Sequence, residues 1–161
     1  MIFLGVGTNL GDKKKNILQA YELLEEKEVK ILRKSSFYKS AAWGIRDQNS
    51  FLNSVIEVSF EENAERLLEI CLEVEKEMGR KRLFKWGPRL IDLDIISFHH
   101  EKHHSEKLIL PHPFYTQRAF VLSPLAELEE NWIDAESGQS IQELLAKIPE
   151  EDACTLLGED E

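Results

Sequence analysis

The chain has 161 residues, 42% of them hydrophobic and 31% charged, with a formal net charge of −10. That length suits a single domain, residues 1–161, with a sizeable core, and no segment approaches the roughly 18 consecutive apolar residues that would span a membrane. The acidic balance argues against nonspecific nucleic-acid binding, which needs a broad cationic surface. Met1 to Gly7 lacks the basic start of a secretory signal. Cys71 and Cys154 form no metal-ligand or redox motif, so both are expected to be free thiols of a cytoplasmic protein.

Ile2, Leu4 and Val6 predict an opening buried strand. Gly7 to Asp12 reads as a turn, and helical periodicity follows through Ile17, Leu18, Tyr21 and Leu24. Val29 to Tyr38 reads as a second strand, Ser40 to Ser50 as a loop centred on Trp43-Gly44, and Leu52 to Phe60 as a third strand. Asn63 to Met78 predicts an amphipathic helix with Leu67, Leu68, Cys71, Val74 and Met78 on its apolar side and Gly79 at its end. A cationic loop, Arg80 to Arg89, then leads into the strand Leu90 to Phe98.

This β-α-β-β-α-β order predicts an α+β fold, the ferredoxin-like sandwich with an antiparallel sheet. Helices on one side would leave the other face available, with loops gathered over it. Additional C-terminal elements follow. Phe114 to Leu128 reads as a helical segment interrupted near Pro124, and Ser140 to Ile148 as a short helix. The acidic tail from about Glu150 is expected to be mobile.

The chemistry concentrates in Lys85 to Ile95. In an extended strand, residues two apart face the same way, so Asp92 and Asp94 share one face while Ile91, Leu93 and Ile95 share the other. Two like charges side by side in an apolar strand are costly unless a cation sits between them. A hard divalent ion, Mg²⁺ shared with phosphate oxygens, would remove that cost.

Between Lys76 and Arg89 stand six basic residues and one acid, an anion pocket on an acidic protein. Arg80 and Arg82 can grip phosphate oxygens bidentately, and Lys85 offers a mobile point charge; a solvated charge run is the plainer alternative. Trp86, stiffened by Gly87-Pro88, could present its indole to a flat ligand, with core packing as the rival. Phe51, Trp43 and Phe120 could make a second flat site beside Asn53, which offers both a donor and an acceptor. His112, between Pro111 and Pro113, could place a neutral donor near Arg118 on a leaving phosphate. His99, His100, His103 and His104 could catch Zn²⁺ or Ni²⁺ in vitro, but no Cys and no helical His-Glu-x-x-His arrangement accompanies them as a physiological site would need. No phosphate-binding glycine cradle, protein-kinase signature or nucleophilic triad is present.

The pattern resembles the 6-hydroxymethyl-7,8-dihydropterin pyrophosphokinases. The resemblance runs from Gly5-Val6-Gly7-Thr8-Asn9-Leu10-Gly11-Asp12 through Ser35-Ser36-Phe37-Tyr38, Phe51-Leu52-Asn53, Glu75 and Gly79-Arg80. It continues in Trp86-Gly87-Pro88-Arg89-Leu90-Ile91-Asp92-Leu93-Asp94-Ile95, then Pro111-His112, Arg118 and Phe120. It implies a monomer that transfers the diphosphoryl group of ATP to a pterin hydroxymethyl oxygen, releasing AMP.

Carried onto this chain, it implies that Asp92 and Asp94 bind two Mg²⁺ ions, and that Arg80 and Arg82 belong to a closing loop. Glu75, Arg82, Lys85, Trp86, Arg89, His112 and Arg118 fall at nucleotide positions. Phe51, Asn53 and Phe120 fall at pterin positions, with Ser40, Ala41, Ala42 and Trp43 supplying nearby contacts. Lys85 stands where arginine is common, and Phe51 where tyrosine is. A different magnesium-dependent phosphotransferase, or a silent nucleotide-binding module, remains open from the sequence alone.

Overall fold

Strand β1, Ile2–Thr8, runs through the middle of the sheet with β4, Phe51–Ser59, on one side and β5, Asp92–Phe98, on the other, both antiparallel to it. The computed structural model describes residues 1–40, 50–79 and 90–157. Beyond β4 lie β2, Lys30–Lys34, and β3, Tyr38–Ser40, each paired to a different stretch of β4. The main path is β5-β1-β4-β3-β8, where β8 is Thr155–Leu156. A separate two-stranded ribbon joins β6, His103–His104, to β7, Ile109–Leu110.

Helices α1, Lys13–Glu26, and α2, Ala64–Met78, cover one face. Each begins on a side-chain cap that satisfies a free N–H of the first turn. Asp12 accepts from Lys15 N–H at 3.3 Å, and Asn63 from Arg66 N–H at 2.9 Å. Gly79 closes α2, donating to the Glu75 carbonyl at 2.8 Å. Ile17, Leu24, Leu67, Ile70 and Val74 from these helices pack on Ile2, Leu4, Val6, Ile56, Leu93 and Ile95 of the sheet. Each such side chain, fully buried, is worth about 1.5–3 kcal/mol.

The opposite face is only half available, contrary to the expectation of an open face. Helices α3, Ala119–Leu128, and α4, Ile141–Ala146, together with Trp132, cover Phe3, Val55 and Ile96 with a second core. The C-terminal third supplies the apolar residues Val121, Leu122, Leu125, Ile141 and Leu144 for this layer. Glu127 moors α3 over the far edge by accepting from Ser36 N–H at 2.7 Å and Tyr38 Oη–H at 2.8 Å.

Three further expectations change. The segment 29–38 is two strands, because Ser35 Oγ rather than a backbone carbonyl accepts the Val55 N–H at 2.9 Å and breaks the ladder. Pro124 does not interrupt α3. Proline's φ is helical and it removes one hydrogen bond, a loss offset by burial of Pro124 with Leu122 and Leu125. The tail is held as far as Leu157, where β8 pairs with β3, Leu157 N–H donates to the Phe37 carbonyl at 2.9 Å and Leu157 packs on the main core. Residues 158–161 lie outside the described residues. Among the described residues, no helix is long and apolar enough to cross a membrane.

Candidate active site

Register places the site residues on the uncovered half of the second face. Asp94 lies opposite Gly5 and Asp92 opposite Gly7 on β1; Gly7 in turn faces Asn53 on β4. Leu93 and Ile95 belong to the helix-side core, so alternation turns both aspartates toward the opposite side. Gly5 and Gly7 put no side chain between the carboxylates and Asn53. The result is a bare strip of backbone with acid on one bank and a carboxamide on the other. Asp94 is exposed and Asp92 half-buried.

Neighbouring side chains narrow the strip at both glycines: Ile96 Cδ1 lies 3.5 Å from where a Cβ on Gly5 would stand. A Cβ on Gly7 would come within 2.9 Å of Asn53 Oδ1, so glycine is required for Asn53 to lean over β1. Asn53 Nδ2 donates to Ser40 Oγ at 2.8 Å, which directs the carbonyl of the amide toward the strip. Phe51 shares this face, opposite Ser40, and is half-buried. Beneath the aspartates, Glu75 of α2 accepts the Leu93 N–H at 2.9 Å and braces the strand between them. Its carboxylate thus supports β5 from the helix side, a role the sequence did not reveal.

The outer edge of β5 is lined by the segment after β7. His112 N–H donates to the Ile96 carbonyl at 3.0 Å. Its ring Nδ1 accepts the Phe114 N–H at 3.2 Å, so the neutral imidazole carries its proton on Nε2, free to donate outward. Burial lowers the His112 pKa below 6.5; the charge of Asp94 opposes this and that of Arg118 adds to it. The net effect keeps the ring neutral near pH 7. Arg118, at the start of α3, has its guanidinium carbon 5.6 Å from the centre of the Phe120 ring. His112, Asp94, Arg118 and Phe120 are therefore brought into one neighbourhood.

Beside Asp94 and His112 opens a cavity of about 220 Å³. Leu68, Leu93, Ile95 and Leu108 give it apolar walls, and Glu106 and Lys107 a polar rim. The sequence reading missed this pocket; the only signal was the apolar run Leu108-Ile109-Leu110 after the histidines. Arg80, Arg82, Lys85, Trp86, Arg89, Ala41, Ala42 and Trp43 lie outside the described residues.

The donor set suits magnesium. Among the described residues no group of three His, Cys, Asp or Glu side chains converges as a metal cage. Two carboxylates on one face of a strand instead suit a hard ion that takes its other ligands from phosphate and water. The histidine cluster is engaged elsewhere. His99 Nδ1 meets the Met1 amino group at 3.0 Å, His100 lies against Trp132, and His103 is held between Glu65 and Glu101.

Comparison with known proteins identifies the family. Residues 3–130 match the family described as 7,8-dihydro-6-hydroxymethylpterin-pyrophosphokinase (HPPK). A 2-amino-4-hydroxy-6-hydroxymethyldihydropteridine pyrophosphokinase of Methylorubrum extorquens is 38% identical over 91% of this chain and 92% of its own length. One from Aquifex aeolicus is 44% identical over 82% of each. Among solved structures, wild-type HPPK-DHPS of Plasmodium falciparum with pteroate aligns with a TM-score of 0.72 at 16% identity, covering 98% of this chain and 49% of that one. The last likeness speaks for the fold alone, the two pyrophosphokinases for the sequence across more than four fifths of the chain. The chain belongs to the 7,8-dihydro-6-hydroxymethylpterin-pyrophosphokinase family.

Proposed function

We propose that the chain transfers the diphosphoryl group of ATP to the hydroxymethyl oxygen of 6-hydroxymethyl-7,8-dihydropterin, releasing AMP and the pterin diphosphate. The observation that carries this is the bare strip over Gly5 and Gly7, with Asp92 and Asp94 on one bank and Asn53 on the other. A charged triphosphate and a flat heterocycle can meet there with no side chain of β1 between them.

The residues divide the work by bank. On the nucleotide side, the apolar cavity by Leu68, Leu93 and Leu108 receives the base, while Nε2–H of neutral His112 and the Arg118 guanidinium donate to phosphate oxygens. Asp92 and Asp94 would hold two Mg²⁺ ions. When bound, these ions neutralise charge on the transferred group and its leaving oxygen. On the pterin side, Asn53 accepts from the polar edge of the heterocycle through its carbonyl, with Phe51 and Phe120 on its faces and Ser40 fixing the amide. Ala41, Ala42 and Trp43 are assigned to this bank, and Arg80, Arg82, Lys85, Trp86, Arg89 and Glu75 to the nucleotide bank, on the family resemblance.

In the reaction the hydroxymethyl oxygen bonds to the β-phosphorus, and the bond from that phosphorus to the α,β-bridging oxygen breaks. The hydroxyl proton leaves to solvent. No side chain on the strip is needed as a dedicated base, so positioning and charge stabilisation carry the rate. The test is chromatography of the products formed from ATP, magnesium and the pterin. Stoichiometric AMP and pterin diphosphate are expected, and neither when magnesium or either substrate is omitted. ADP in place of AMP would overturn the proposal.

A further inference from the structure

Phe114 is a large aromatic side chain at the site that belongs to neither core. It is 53% exposed, and an isolated exposed aromatic is ordinarily unremarkable. Here three contacts converge on it. The guanidinium carbon of Arg118 lies 5.7 Å from its ring centre, the His112 ring is edge-on at 6.3 Å, and its own N–H fixes the His112 tautomer. Arg118 lies over two rings at nearly equal distance, Phe114 and Phe120. Among the described residues no carboxylate pairs with Arg118 and no side-chain hydrogen bond holds it.

We propose that Phe114 is a positioning residue that, with Phe120, pre-orients the Arg118 guanidinium for the phosphates of ATP. Rings hold the flat cation through its π face and leave its N–H fork in the plane unengaged. A carboxylate partner would orient the arginine equally well but would occupy the donors that phosphate must receive. A long arginine otherwise loses rotamer freedom on binding, and ordering it beforehand removes part of that cost. Phe120 is also assigned to the pterin, so Phe114 gives Arg118 a wall that is in place before the pterin arrives.

This inference rests on the proposed function, and its test is separable from it. MgATP is titrated calorimetrically into the full chain without pterin, using wild type, Phe114→Leu, Phe114→Tyr, Arg118→Ala and the double variant Phe114→Leu/Arg118→Ala. Phe114→Leu should weaken MgATP binding about threefold, the size of an exposed cation–π contact. Phe114→Tyr, which restores a ring, should bind as wild type does. In the Arg118→Ala background the Phe114→Leu change should have no further effect. Phe114→Met, equally without a ring, supplies a second reading should the leucine variant not fold.

Unchanged affinity in Phe114→Leu, or an equal loss with and without Arg118, would overturn the positioning role. Normal coupling in a protein that forms no AMP would refute the transferase reading and leave the positioning of Arg118 standing. Absence of MgATP binding in the wild type would overturn both.

Discussion

The two halves of the sheet's second face are built on the same three strands and finished in opposite ways. Toward one end, Phe3, Val55 and Ile96 are sealed beneath Trp132, Leu122 and Leu125. Toward the other, Gly5 and Gly7 put no side chain of β1 between Asp92, Asp94 and Asn53. Both halves contain carboxylates, yet these serve opposite purposes. Asp134, in the sealed half, is buried and enclosed by donors: Tyr115 Oη–H at 2.6 Å, Ser137 N–H at 3.0 Å and Ser137 Oγ–H at 2.7 Å. Burial would raise its pKa, but these donors outweigh it and hold the carboxyl below its ordinary 3.8. A carboxylate enclosed by protein donors is structural, whereas Asp94 is exposed at the strip and open to a ligand's charge.

That contrast breaks most sharply at Asp94. Asp94→Ala should lower kcat by about a hundredfold or more, the usual effect of removing a principal electrostatic group, in steady-state assays of AMP formation. Its unfolding free energy should change little, by about 0.5 kcal/mol at most, because Asp94 is exposed. The mirror-image result is expected at Asp134. Asp134→Ala strands the donors of Tyr115 and Ser137 and should cost about 3 kcal/mol in urea unfolding, with kcat retained in the folded fraction. If the two variants exchanged behaviours, the division of the face would be wrong.

Smaller effects sharpen the boundary. Gly7→Ala should push Asn53 Oδ1 aside, costing about 1–3 kcal/mol as overpacking, and should raise the KM for the pterin more than that for ATP. Tyr115→Phe removes one donor to Asp134 and should cost about 1.5 kcal/mol, leaving turnover unchanged.

The smallest effect is in acid. Because the folded pKa of Asp134 is depressed, its stabilisation is complete above the unfolded value of 3.8 and is lost as pH falls through the lower folded value. The stability gap between wild type and Asp134→Asn should therefore persist down to pH 3.8 and close only below it. A gap that closed above that pH would show that the donors do not hold the carboxyl down.

The parts legible in the sequence were those with local periodicity or compact motifs. The amphipathic stretch Asn63 to Met78 became α2 because its apolar stripe and its caps agree. The alternation of β5 correctly put Asp92 and Asp94 on one face. The parts missed depend on partners far along the chain. Nothing near Ser35 announces that its hydroxyl will take the Val55 N–H. Nothing in the acidic tail signals that Thr155 and Leu156 will add a strand to β3. The cavity beside Asp94 arises only when Leu68 and Leu108, forty positions apart, meet across the edge of β5. Likewise Glu75 reads as one more helical glutamate until its contact with Leu93 N–H gives it a distinct place.

A single irregularity in β5 sets which way its carboxylates point. The register with β1 slips between Phe3 and Leu4, so Leu4 faces Ile95 while Phe3 faces Ser97, and Ile96 is left over as a bulge. Counting parity through that extra residue puts Ile95 and Phe98 in one core and Ile96 in the other. The strand is thus read in two frames, one for the acid pair and one for its anchor. The bulge absorbs the extra residue: were Ile96 lost, plain alternation would still set Phe98 opposite Ile2 and Asp94 opposite Gly5, each on its present face. Gaining a residue with no second bulge to absorb it would instead act as a frameshift in three dimensions, turning the aspartates toward the helix-side interior while Phe98 kept its core. This stretch should therefore tolerate the loss of one residue far better than the gain of one.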